Sequence, residues 1–214
     1  MRRQIVEMIE QEMRNRTSYF TREQDIQLAL AYMLETSRAF DRVFVEQHIP
    51  ASMISNYPWT DANNIYIDLV IQKDSVFLPI EIKFKTKSQQ VPLSVLGIDD
   101  VITLGHHGAQ NIGCYDLWKD VKRLELFEES FPQVEQGIML FITNDETYLQ
   151  PPLNMDAGYA QFSIHENKTV AQHETLDWNK ALSISKNRPP IQLNRGYLAS
   201  WTEMQLQNHF FMIL

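Results

Sequence analysis

Between Arg2 and Arg14, Ile5, Ile9 and Met13 recur four apart among charged neighbours, the stripe of an amphipathic helix. A second helix starts more sharply. Thr21 followed by Gln24 reads as a capping box, and Ile26, Ala29, Leu30, Met33 and Leu34 continue at helical spacing to an end near Ser37. One turn back along that stripe lies Glu23, so this carboxylate belongs to the end of the buried face. Three strand-like runs follow: Val43-Phe44-Val45-Glu46, the β-branched stretch from Ile65 to Ile71, and the partly alternating stretch from Val76 to Lys85. Lys73-Asp74-Ser75 is short enough to turn the last two into a hairpin. Pro79, which has no N–H for a ladder, argues for a bulge or an edge position in the third run.

Ser88 to Gly113 mixes polarities and carries Gly105, Gly108 and Gly113, which reads as a mobile connection. Tyr115 to Glu129 is predicted helical, with Leu117, Trp118, Val121, Leu124 and Phe127 buried, and Gly137 to Ile142 is a buried strand. In the last third, Pro151-Pro152 and Pro189-Pro190 bracket a polar region. Beyond it Leu193, Tyr197, Ala199 and Trp201 share one parity of a strand, and Phe210 to Leu214 reads as a terminal strand. The order of elements describes a mixed α/β domain with a central sheet.

Composition narrows the function classes. A chain of 214 residues is long enough for one sizeable core, and no linker divides it, so residues 1–214 read as a single domain. The one cysteine, Cys114, cannot form an internal bridge, and the charged start of the chain does not resemble a signal peptide. Both point to a cytoplasmic protein. No apolar run approaches the roughly 20 residues that span a bilayer. A net charge of −8 lacks the basic character of a bulk nucleic-acid binder, so any such function must rest on a local site.

The residues that do not fit a simple core are Asp68, Glu81 and Lys83. Asp68 interrupts an apolar strand, while Glu81 and Lys83 leave one face of the next strand and Ile80, Ile82 and Phe84 leave the other. Charged side chains are seldom buried unless paired, so this cluster needs mutual compensation or a cation. Two hard carboxylates suit Mg²⁺ or Mn²⁺, with Lys83 orienting or helping to deprotonate the attacking water, or offsetting charge on a phosphorane-like transition state. The plainer alternative is an ion pair between Lys83 and either acid on a solvated face.

Asp68, twelve intervening residues, then Glu81-Ile82-Lys83, set in this order of elements, resembles the PD-(D/E)XK nuclease superfamily, the restriction-endonuclease-like fold. The resemblance implies an αβββαβ core over residues 21–145 with a central mixed sheet. Residues 1–20 are then an accessory N-terminal helix and 146–214 a C-terminal elaboration with extra strands. It implies Asp68 and Glu81 as metal ligands for Mg²⁺ or Mn²⁺, Lys83 as the catalytic lysine and Glu23 as the glutamate of the preceding helix. The implied activity is metal-dependent phosphodiester hydrolysis of DNA. The alternative is an inactive relative that binds a protein or nucleic-acid partner and keeps its acids as a structural network. Ile67 stands where the name-giving proline would be, a position that varies in the superfamily.

Glu46 in the first strand is a further acid within reach of such a site. Lys119 and Arg123 fall on the helix that often touches the phosphate backbone in this fold, although Asp116 with Lys119 and Asp120 with Arg123 have the spacing of surface pairs. The acidic balance predicts weak DNA affinity outside a preferred substrate, or a basic partner subunit or homodimer to supply it. Other candidates are poorer. Adjacent His106 and His107 point to opposite faces in a strand, Cys114 has no base near it in sequence, and Gly105 to Gly113 lacks phosphate-loop spacing. Tyr197 and Trp201 share a face, which is the spacing of core aromatics as well as of base-stacking ones.

Overall fold

The computed structural model of the chain describes residues 1–59, 64–96, 98–180 and 183–214. Its helices are α1 (Arg2–Asn15), α2 (Glu23–Thr36) and α3 (Gln110–Ser130). Its strands are β1 (Arg42–Pro50), β2 (Asn64–Lys73), β3 (Val76–Lys85), β4 (Gln89–Val95), β5 (Ile98–Leu104) and β6 (Ile138–Thr143). The short strands β7 (Thr169–Val170), β8 (Thr175–Leu176), β9 (Ile191–Gln192), β10 (Tyr197–Leu198) and β11 (Thr202–Glu203) follow, and β12 (Phe210–Ile213) closes the chain.

Strands β2, β3 and β6 are apolar on both faces and must be covered on both. The main sheet has the order β1-β2-β3-β6-β12-β11, with β3 and β6 parallel and the other neighbours antiparallel. Helices α1 and α2 cover one face, where Ile5, Ile9, Ile26 and Leu30 meet Leu69, Ile80, Ile82 and Leu140. Helix α3 crosses the other face on its way from β3 to β6, bringing Leu117, Trp118 and Val121 onto Ile67, Met139 and Phe141. Burying each such aliphatic side chain is worth about 1.5–3 kcal/mol, so the two faces anchor the sheet together. The protein is therefore a mixed α/β domain with three helices around a central six-stranded mixed sheet.

The last third wraps the outer side of α3. Two aromatic donors of α3 fasten it, Trp118 Nε1 to the Phe162 carbonyl at 2.9 Å and the Tyr115 hydroxyl to the Pro189 carbonyl at 3.0 Å, and within the last third Trp201 Nε1 donates to the Ile164 carbonyl at 2.7 Å. The chain then returns to the sheet through β12, which pairs with β6.

Four expectations change. Helix α2 starts at Glu23 and not on a Thr21–Gln24 box, because the Thr21 hydroxyl and amide both donate to Asp25 Oδ2, at 2.6 and 3.0 Å. Pro79 lies in a central strand, at the break between the isolated Phe77–Val134 bridge and the β3–β6 ladder that begins at Ile80, so its missing donor is not needed. The connection from Ser88 to Gly113 holds the β4–β5 hairpin, Gly97 lying outside the described residues. Its base is clamped by the Thr86 hydroxyl donating to the Gly105 carbonyl at 2.6 Å and the His107 amide donating to the Thr86 carbonyl at 2.7 Å. The parity from Leu193 to Trp201 does not make one strand; the segment breaks into two-residue strands because its residues bond to α3 and to the chain between Glu166 and Glu174.

Candidate functional site

The β2–β3 ladder runs from the Lys73–Val76 pair, across an Asp74-Ser75 turn, and ends where Leu69 faces Ile80. Beyond that point β3 keeps its parallel partner β6 as far as Lys85. The amides of Ile82 and Phe84 are left without strand partners on the β2 side, and an unpaired buried amide costs about 1–3 kcal/mol. Carboxylates fill the gap. The Ile82 amide donates to Asp68 Oδ2 at 2.6 Å, and the Phe84 amide donates to Glu23 Oε2 at 2.9 Å. Asp68 and Glu23 thus converge on one edge of β3 from β2 and from the first turn of α2.

An irregularity in the sheet aims Asp68 there. Ile65 and Ile67 face the α3 side, whereas Leu69 and Ile71 face α1 and α2, so β2 changes face at Asp68. Opposite it, β1 pairs Val45 with Leu69 and Gln47 with Ile67, skipping Glu46, whose backbone has a φ of 52°. Buried Gln27 holds this region, its Nε2 donating to Glu46 Oε1 and to the Asp68 carbonyl, both at 2.9 Å.

Glu81 and Lys83 leave the opposite face of β3 and meet α3. Lys83 Nζ lies 2.8 Å from Asp120 Oδ2. Arg123 Nη2 lies 2.8 Å from Asp120 Oδ1 and 2.7 Å from Glu81 Oε1, to which Arg123 Nε also donates at 3.0 Å. Glu81 and Asp120 are only 1% and 3% exposed. The result is a continuous chain of charge from Lys83 through Asp120 and Arg123 to Glu81.

Burial pushes the Asp68 carboxyl up to about 6, the Ile82 amide and Lys83 only partly opposing it. Burial also lifts Glu81 well above the usual carboxylate range despite Arg123. Lys83 moves the other way from a typical buried lysine. Burial would lower it, but Asp120, Glu23 and Glu81 together hold it above its ordinary value, so it is a fixed cation. Asp120 is held below its ordinary range because Arg123 and Lys83 outweigh its burial.

The donor set has a common pattern. Glu23, Asp68 and Glu81 each give one oxygen to a protein donor, and no described residue donates to Glu23 Oε1, Asp68 Oδ1 or Glu81 Oε2. Among the described residues no three or more His, Cys, Asp or Glu side chains form a ready metal cage. Two hard carboxylates, each oriented by a hydrogen bond on its other oxygen, are the donor type that Mg²⁺ or Mn²⁺ takes while keeping several waters.

The remaining candidates lie elsewhere or have other partners. Glu46 is exposed and bound to Gln27. The Lys119 ammonium stands 5.7 Å from the centroid of the Trp59 ring, while Arg123 is engaged with Glu81 and Asp120 rather than turned to solvent. Cys114 is buried and its thiol is pushed up to about 12, the chemistry of an inert thiol. Tyr197 and Trp201 donate to Glu125 and to the Ile164 carbonyl, as core residues do.

Sequence reasoning missed two members. Gln27 follows Glu23 by one turn on the buried face of α2, and Asp120 lies between Leu117 and Leu124 on the buried face of α3. A polar residue on an apolar helical stripe was the available signal in both cases. No helix among the described residues is long and apolar enough to cross a membrane. Comparison of the chain with protein-family models, with curated proteins and with solved structures gave no match.

Proposed function

We propose that the chain is a metal-dependent phosphodiesterase acting on DNA, of the PD-(D/E)XK kind, with its site at the opening between β2 and β3. One observation carries this reading: Asp68 and Glu23 at the edge of β3 and Glu81 on its α3 face are each fixed through one oxygen, with the protonated Lys83 near them. Asp68 and Glu81 would hold Mg²⁺ or Mn²⁺, which when bound lowers the pKa of a water and offsets phosphate charge.

Hydrolysis forms a bond from a water oxygen to phosphorus and breaks the bond to the 3′ oxygen, which leaves with a proton. Lys83 is unsuited to take a proton, since its neighbours hold it charged. Its part is electrostatic, facing the charge that builds on the phosphoryl oxygens, and Asp120 fixes its position. The net charge of −8 keeps non-specific DNA binding weak, so specificity falls to the loops around the site.

Cleavage of supercoiled plasmid and of branched and single-stranded oligonucleotides with Mg²⁺ or Mn²⁺ tests the assignment. Asp68→Asn and Lys83→Ala are each expected to lose about 10²-fold or more in rate while remaining folded. Unchanged cleavage by both variants would sink it.

A second reading is favoured by the Arg123–Glu81 pair, which makes Glu81 part of a buried ion network. In that reading the protein binds a partner without cutting. Calorimetric titration separates the two: no binding of Mg²⁺ or Mn²⁺ at millimolar concentration, together with lower thermal stability in Glu81→Gln, selects the non-enzyme.

A further inference from the structure

Arg123 has an unusual place for a residue on a helix that faces a nucleic-acid site. Its side chain is 13% exposed, and its guanidinium contacts both Glu81 and Asp120 at 2.7–2.8 Å. A guanidinium does not deprotonate in a protein, so its charge is permanent. Without it, Glu81, Asp120 and Asp68 would face one another with Lys83 as their nearest cation, an arrangement that burial makes costly.

The geometry points to Arg123 as the resident counter-cation of the site: it occupies Glu81 when no divalent ion is bound, and a metal must compete with it for that carboxylate. This inference rests on the metal reading of the same carboxylates and adds a residue to it that the motif does not contain. Both Arg123 contacts fall on Glu81 Oε1, while no described residue donates to Oε2. A metal entering at Oε2 therefore meets a carboxylate already partly neutralised, and its affinity is reduced by the arginine's presence. The network also gives the arginine somewhere to remain, because Asp120 Oδ1 still holds Nη2 when Glu81 is shared. Metal binding is then weak in the free protein and strengthens when a substrate phosphate brings further negative charge.

The test is titration of the full chain with MnCl₂, followed by calorimetry, by the electron paramagnetic resonance signal of free Mn²⁺ and by thermal unfolding. Arg123→Met is expected to bind Mn²⁺ about tenfold more tightly than the wild type, or better. It should also show a lower melting temperature without metal and a larger rise with it. Arg123→Lys keeps a cation and is expected to return affinity towards the wild-type value. Asp68→Asn combined with Arg123→Met should lose the gain.

A folded Arg123→Met protein that binds Mn²⁺ no more tightly than the wild type overturns the inference. Should Arg123→Met be unfolded alone, 10 mM Mn²⁺ is expected to restore its near-ultraviolet dichroism, and failure to do so counts equally against it. The underlying reading has its own outcome. Wild-type Mn²⁺ binding that disappears in Asp68→Asn supports the metal site whatever Arg123 does. Binding that appears only after Arg123 is removed, and that added DNA does not bring out in the wild type, supports the counter-cation and ends the phosphodiesterase reading.

Discussion

Helix α3 carries two buried acids five residues apart, and they turn to opposite sides. Glu125 faces the C-terminal segment and is saturated. Its carboxylate accepts from the amides of Asn194 and Arg195, from the Tyr197 hydroxyl and from Lys122 Nζ, at 2.9–3.3 Å. Asp120 faces the sheet and joins a group in which Glu81 and Asp68 each have an oxygen that no described residue serves. The same helix thus shows two uses of a buried carboxylate. Where every lone pair has a donor, the acid is holding chain segments together. Where oxygens are oriented but left without donors and the carboxyls are driven up, the arrangement is the one on which the proposed metal site rests.

The largest expected effect sharpens the first half of this contrast. Glu125→Ala leaves two backbone amides and a tyrosine hydroxyl, all half-buried, without their acceptor, which costs roughly 3–5 kcal/mol. At about 2–4 °C per kcal/mol for a chain of this size, the melting temperature should fall by about 6–20 °C. Mn²⁺ affinity, measured on the folded protein, should stay within about twofold. A stability loss below about 1 kcal/mol in urea unfolding would show that the last third does not depend on this anchor.

The opposite sign is expected at the site. Asp68 titrates at about 6 in the folded chain, against about 3.9 in an unfolded one. The folded state therefore binds the extra proton between those values, so Asp68 makes stability fall as pH rises from about 4 to about 6, with no further change above. Two units correspond to about 3 kcal/mol, and partial solvent access at the strand edge reduces this to about 2 kcal/mol. Asp68→Asn keeps an oxygen for the Ile82 amide and removes the charge. It should be about 2 kcal/mol more stable than the wild type at pH 8 and equal to it at pH 4, by urea unfolding at both. Equal stability at pH 8 would mean the carboxylate is not held there at a cost. Raising pH through about 6 should also strengthen Mn²⁺ binding to the wild type, because the ligand must be ionised.

How much of this was legible in the sequence depends on which interaction places each residue. The helices α1, α2 and α3 and the strands β1, β2, β3, β6 and β12 were visible because local periodicity and burial agree there. Glu23 was found by extending a stripe. Asp120 and Arg123 read as a helix-surface pair. They do pair, at 2.8 Å, but towards the sheet, and only tertiary packing decides which way a helix face turns. The β4–β5 hairpin was missed because its alternation is weak: Val91 and Leu104 are buried at its base, while Ile98 and Val101 are exposed. The last third before β12 was unreadable for a related reason. It is shaped by long-range bonds to α3, such as Trp118 to Phe162 and Tyr197 to Glu125, and these leave no period in the sequence.

The smallest expected effect marks the boundary of the site. Glu46 lies opposite Asp68, close enough in the sheet for its residue type alone to suggest a ligand, yet it is exposed and its carboxylate takes a hydrogen bond from Gln27. Glu46→Gln preserves an oxygen acceptor for Gln27 Nε2 and removes only a charge in contact with solvent. The change should stay within about 0.5 kcal/mol in stability. On the proposed activity it should leave the cleavage rate within about twofold and Mn²⁺ affinity unaltered. A loss of tenfold or more in either would move Glu46 from the support of the Asp68 backbone to the group that meets the metal. The line between oriented acids and solvated ones would then run through β1 instead of through β2.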